Sequence, residues 1–333
     1  MKWLKRILIA IPVVIILLIG AVFLVNFLTP KPVSLLARGM FDNSDKEVVY
    51  NRPDDFEKQV SQLTISKDIT YQSNNKNNTM DIYAPKEISA KNGIIFWVHG
   101  GAYVGGDKGD CQDYLEMISS ATNQIVVNIN YDLAPETKHP VPVLQLNEAI
   151  QAIEEQYPDQ VDWNKVTIGG DSAGAQISSE YLLALQNKNI QQEIKLKPAL
   201  SNDQVKKFVS LSGLLVPVKF GDVEDNISHF LYEKCGWAYF DSKKFEKDPL
   251  VMSLAIEEQT NNWTQEVFLT DGNTNTFTSQ MESLATTLQK AKIPVTVVSY
   301  QKKEASLPHE YQFDFSTKQA QETYQQLVTF LSE

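Results

Sequence analysis

Cysteine is scarce in this chain. Its 333 residues include only Cys111 and Cys235, far apart and in no C-x-x-C spacing. No cysteine-based metal motif is present, and a single disulfide is the most the sequence allows. Histidine is scarce too, with only His99, His139, His229 and His309 available as imidazole bases. There is no basic excess: 30 Lys and Arg against 41 Asp and Glu leave a formal charge of -11. The acidic residues are scattered, and phosphate binding needs a basic surface, which argues against nucleic acid as a partner. Low-complexity segments and internal repeats are absent as well. What remains is 43% hydrophobic and 21% charged, the composition of an ordinary globular enzyme.

One long hydrophobic run is present. Residues 7–28 are almost unbroken in apolar character, interrupted by Pro12, Gly20 and Asn26. As a helix this run would rise roughly 33 Å, enough for a bilayer core of about 30 Å. Lys2, Lys5 and Arg6 precede it, so the positive-inside rule puts residues 1–6 in the cytoplasm and the bulk of the chain outside the cell membrane. Lys31 and Arg38 on the far side weaken that asymmetry. A cleaved signal peptide would have a shorter apolar region ending at a small-x-small site, and none follows here. The expectation is a single-pass transmembrane helix over 7–28 in contact with lipid, a linker over 29–62 with a short helical piece, and one large domain over 63–333.

Within that domain, β-branched runs predict strands at 63–71, 79–83, 93–98, 124–130, 165–168, 205–211, 266–270 and 295–300. Amphipathic spacing predicts helices at 112–121, 143–156, 173–185, 280–291 and 317–331. Such alternation means an α/β fold, a mostly parallel central sheet with helices on both faces. Residues 214–263 break the rhythm and are rich in aromatics, among them Phe220, Phe230, Tyr232, Trp237 and Tyr239. This insertion is either a lid or cap over a site or a helical pair on the sheet edge.

Two glycine-flanked segments carry chemistry. Gly170-Asp171-Ser172-Ala173-Gly174 directly follows a predicted strand and opens a helix. A nucleophilic serine on such a tight turn needs small neighbours, and the helix N-terminus behind it favours developing negative charge. His99-Gly100-Gly101-Ala102-Tyr103 follows an earlier strand, where adjacent glycines let backbone N–H groups approach an oxyanion. Gly100 and Gly101, with Ala173, are the candidate donors.

With Tyr131-Asp132-Leu133-Ala134-Pro135-Glu136 and His139-Pro140, these two motifs stand in an order and spacing that resemble the hormone-sensitive-lipase-like carboxylesterases of the α/β-hydrolase fold, from about residue 63 to the C-terminus. The resemblance implies hydrolysis of carboxylic esters, often of short acyl chains, through an acyl-enzyme, with no metal and no cofactor. Asp132 stands where that family commonly has an arginine. Asp171, Glu136 and His139 read as residues that hold the surrounding loops.

In this fold the triad runs serine, acid, histidine. That leaves His229 and His309, and His309 follows the last predicted strand as a general base should. The acid departs from the family's Gly-x-Asp or Gly-x-x-Asp pattern, because the loop reads Asp271-Gly272-Asn273-Thr274-Asn275. Asp271 is its only carboxylate, placed before the glycine. Either Asp271 orients His309, or it caps a turn while Asn275 or a backbone group does so. The catalytic set expected is Ser172, His309 and Asp271. Two alternatives stay open: an O-acetylesterase acting on cell-envelope polysaccharide, and a membrane-tethered recognition protein with a degraded triad.

Overall fold

Eight strands pair in the order β1-β2-β4-β3-β5-β6-β7-β8 in a computed structural model of the chain. The structure describes residues 24–41, 51–88 and 90–333, with residues 3, 11, 14, 15, 17 and 20–22. β1 (Leu63–Thr70) and β2 (Thr79–Pro85) form an antiparallel pair, and β2 runs antiparallel to β4 (Ile125–Ile129). From β4 the pairing is parallel through β3 (Ile94–Val98), β5 (Val166–Asp171), β6 (Val205–Leu211), β7 (Glu266–Thr270) and β8 (Val295–Val298).

The central strands are apolar on both sides because both faces are covered. Alternate residues of β3 divide between two cores. Ile94, Phe96 and Val98 join the core that takes in Leu146 and Ile150 of helix Val141–Gln156 and Ile177 of helix Ser172–Gln186. Ile95 and Trp97 join the other, with Leu115 and Ile118 of helix Gln112–Thr122 and Leu327 and Phe330 of helix Lys318–Ser332. Period two in the strand meets period 3.6 in the helices. Cys111 and Cys235 are buried free thiols, and burial pushes both upward, so neither is a ready thiolate.

The insertion between β6 and β7 contains one long helix, Asn226–Phe240. It does not sit on a sheet edge. Tyr239 stacks on Tyr103 with ring centroids 3.9 Å apart, its carbonyl accepts from His139 N–H at 2.9 Å, and Tyr232 lies 5.6 Å from Phe277. These contacts are with the loops after β3, β4 and β7, so the helix covers the carboxyl ends of the strands, where sites in this class of sheet lie.

Helix Lys31–Phe41 packs on it from outside. Arg38 donates to the carbonyls of Val104 and Ala134, both at 2.6 Å, and pairs with Glu136 at 2.5 Å. The apolar run over 7–28 lies partly outside the described residues, which in its first half are only 11, 14, 15 and 17. Among the described residues no single helix is long and apolar enough to cross a membrane, so the continuous span read from the sequence has no counterpart there. The helices Gly20–Leu28 and Lys31–Phe41 meet at 86°, at a break beside Pro30, whose ring cannot continue a helix from the preceding turn.

Candidate active site

β5 delivers Ser172 to the first position of the helix Ser172–Gln186. The turn is strained: Ser172 has φ 47°, a left-handed conformation unusual for a residue with a Cβ. Space there is minimal. A Cβ on Gly174 would run into the Val98 carbonyl, and one on Gly170 would stand 2.5 Å from the Gly174 carbonyl carbon. The two glycines are therefore required by backbone contact. Ser172 itself is 7% exposed.

His309, in the loop after β8, brings its Nε2 to 2.9 Å from Ser172 Oγ. Its Nδ1 faces Asp271 Oδ1 at 3.5 Å, a contact longer than an ordinary hydrogen bond, with no closer acceptor among the described residues. Asp271 is buried, and its carboxylate also closes the turn beneath it. Oδ1 accepts from Gly272 N–H at 2.7 Å and Oδ2 from Phe277 N–H at 2.8 Å. The two accounts of this loop thus merge, since one carboxylate both caps the turn and faces the ring. Asn275 points elsewhere, accepting from Asp225 N–H at 3.2 Å and donating to Ser228 Oγ at 3.1 Å. Burial alone would lower the His309 imidazole, but Asp271, with the charges of Glu310 and Asp171, outweighs it and holds the ring above its ordinary value.

The loop after β3 departs from expectation at one atom. Gly100 N–H donates to Asp171 Oδ2 at 2.7 Å, so it is already committed and is not a free oxyanion donor. Asp171 also accepts from Trp97 Nε1 at 2.8 Å, which ties the strand end to the glycine loop as the sequence suggested. Burial pushes this carboxyl up to about 6, with the Trp97 and Gly100 hydrogen bonds opposing. Among the described residues, the N–H groups of Gly101, Ala102 and Ala173 have no acceptor. Of the three N–H groups expected to serve as donors, those of Gly101 and Ala173 are thus without an acceptor among the described residues and that of Gly100 is not, while Ala102, unforeseen from the sequence, has one without an acceptor.

The remaining histidines have other partners. His99 stacks on Tyr131 at 4.4 Å, His139 Nε2 lies 2.6 Å from Glu180 Oε1, and His229 Nδ1 lies 2.5 Å from the Gly221 carbonyl. Asp132, in place of the family's arginine, accepts from Asn77 N–H at 2.7 Å and Thr137 Oγ1 at 3.1 Å. One residue escaped sequence reasoning. Glu310 has φ 60°, its N–H donates to Ser212 Oγ at 3.0 Å, and its Oε1 lies 3.9 Å from His309 Nε2. The signal was the carboxylate directly after the candidate base, but adjacency in sequence does not reveal which side of the ring it occupies. Desolvation pushes Glu310 up to about 7, against the opposing pull of His309.

A parallel sheet carrying a serine on a strained strand-to-helix turn, faced by a histidine and a carboxylate from later loops, defines the α/β-hydrolase class of site. The chain belongs to the alpha/beta hydrolase fold family, which it matches over residues 95–311. It is 27% identical over 114 residues to an acetyl esterase of Salmonella schwarzengrund, a match covering 34% of each chain. The chain thus spans about a third of that relative's length. Esterase B of Lactobacillus rhamnosis superposes with a TM-score of 0.72 at 15% identity, over 91% of this chain and 95% of that one. An esterase from Pyrobaculum calidifontis superposes with a TM-score of 0.65 at 16% identity, over 90% of each. At these identities the solved structures establish the fold.

Proposed function

We propose that the chain is a serine esterase of the hormone-sensitive-lipase-like kind, tethered to the cell membrane by residues 7–28, with its hydrolase domain outside. The observation that carries the reading is the 2.9 Å approach of His309 Nε2 to Ser172 Oγ on a strained turn. The esterase names of its relatives support the same chemistry.

Ser172 Oγ bonds to the ester carbonyl carbon as its proton passes to His309 Nε2, and the carbonyl electron pair moves onto oxygen. The N–H groups of Gly101, Ala102 and Ala173 receive that oxyanion. Collapse breaks the bond to the alkoxide, which takes the proton from His309 and leaves as alcohol. Water then repeats the sequence on the acyl-enzyme: it gives a proton to His309, releases the acid and restores the serine. Asp271 holds the ring and balances the imidazolium charge. No step needs a metal or a redox partner.

A fluorophosphonate probe tests the assignment. Wild type should be labelled, and Ser172→Ala should not. Equal labelling of both would remove Ser172 from the mechanism, and no labelling or turnover of any acyl ester would favour the non-catalytic alternative. The name of the acetyl esterase relative supports a short acyl group as the substrate here. Acetate released from envelope polysaccharide would identify a polymer-borne alcohol.

A further inference from the structure

The elements that flank Ser172 leave large apolar side chains uncovered. Phe27, Leu28, Leu36, Met40 and Ile227 are between 62% and 70% exposed, and Phe230 is 43% exposed. Two lysines link the Phe27 and Phe230 parts of this set. Lys234 Nζ donates to the Asn26 carbonyl at 2.5 Å and stands 5.5 Å from the Phe230 ring centroid and 4.7 Å from that of Trp237. Lys243 Nζ stands 3.3 Å from the Phe27 ring centroid. Ile227, Phe230 and Lys234 fall at helical spacing on one side of Asn226–Phe240. Apolar side chains bordered by tryptophan and by lysines with apolar stems suit a bilayer interface.

The geometry of the chain's entry agrees. Helix Lys31–Phe41 lies at 86° to Gly20–Leu28. A segment leaving the bilayer along its normal therefore sets Lys31–Phe41 nearly parallel to the membrane plane, as amphipathic interfacial helices lie. These are also the elements beside the site. Phe41 Cβ would stand 2.9 Å from a Cβ placed on Gly105, in the turn after the glycine loop. At the other side, the Asp225–Ser228 end of the insertion helix is hydrogen-bonded to Asn275, and Phe277 places its ring 5.3 Å from His309.

We propose that this rim is a membrane-seating surface, through which Ser172 receives esters carried by lipids of the adjoining leaflet rather than esters from solution. The lipid substrate rests on the serine-esterase reading; the seating rests on the exposed rim and, through the bend, on the tether proposed over residues 7–28.

The full chain, reconstituted in phosphatidylcholine vesicles containing a diacylglycerol, is assayed on that lipid and on water-soluble p-nitrophenyl acetate. In the double variant Ile227→Asp, Phe230→Asp, turnover of the soluble ester should be unchanged, while lipid-ester hydrolysis falls about tenfold or more. Equal change on both esters, or no loss on the lipid, overturns the proposal, as does a wild type that hydrolyses only the soluble ester. A second measurement needs no turnover. With Cys111 and Cys235 buried, a fluorophore on Phe230→Cys should be quenched by brominated lipid, and one on Gln325→Cys, exposed on helix Lys318–Ser332, should not. Absence of quenching at position 230 overturns the seating surface. Quenching at 230 with neither ester hydrolysed supports the seating and overturns the esterase reading instead.

Discussion

Asp271 divides its oxygens between structure and electrostatics. Its carboxylate is needed by two backbone N–H groups, and Oδ1 also faces the His309 ring at 3.5 Å. An amide could keep part of the turn but not the charge. Asp271→Asn should lower kcat by about 10²–10⁴ with the fold retained by circular dichroism, whereas Asn275→Ala should stay within about threefold of wild type. The reverse ranking would make Asn275 the orienting group. The pH profile provides a second check. In the proposed mechanism the base works as neutral imidazole, and the surrounding carboxylates hold His309 above its ordinary value. The acid limb of kcat/KM should therefore fall at higher pH than for a free imidazole. Glu310, pushed up to about 7, titrates in the same range, so the limb belongs to the pair. Glu310→Gln removes a negative charge from beside Nε2 and should move the limb to lower pH. An unmoved limb would show that the Glu310 charge does not reach the base.

At the scale of elements, Arg38 links the entry helix to the site. It joins Lys31–Phe41 to the Val104 and Ala134 carbonyls and to Glu136. Glu136 is 60% exposed at its side chain, so the ion pair contributes little and the two carbonyl contacts carry most of the effect. Arg38→Ala should destabilise the docked helix by about 2 kcal/mol and speed hydrogen exchange in residues 31–41 and 101–105. Unchanged exchange in the glycine loop would show that the helix covers the loop without holding it. The insertion helix was legible only as an aromatic-rich interruption. Its position follows from the Tyr103–Tyr239 stack and from the Asn275 contacts, which join residues more than a hundred and about fifty positions apart. No local pattern reports such pairings.

For the whole molecule, the proposed topology makes a direct prediction. Protease added to intact cells should release the hydrolase domain as a soluble fragment that keeps activity on p-nitrophenyl acetate. Full protection, with digestion only after lysis, would reverse the orientation read from Lys2, Lys5 and Arg6. Under the proposed tether, the 86° bend beside Pro30 bears on the same question, because it would set how the domain stands against the bilayer.

Ser172 was legible from local sequence because the apolar strand, the serine and its flanking glycines all lie within the short stretch 166–174, although the contact that requires Gly174, with the Val98 carbonyl, is long-range. The same holds for the parallel sheet, whose β-branched runs pair almost where their periodicity puts them. By itself the sequence determined the strands, the helices and the turn that carries Ser172, and it singled out by chain order the histidine, His309, that the structure brings to 2.9 Å from it. Only the tertiary structure decided that Gly100 N–H is taken by Asp171, that Ala102 N–H has no acceptor among the described residues, and that Asp271 rather than Asn275 faces the ring. It also put Glu310 beside Nε2. The physical reason is range: a hydrogen bond is decided to within a few tenths of an ångström by groups that fold together from distant segments, and composition and spacing carry no such distance.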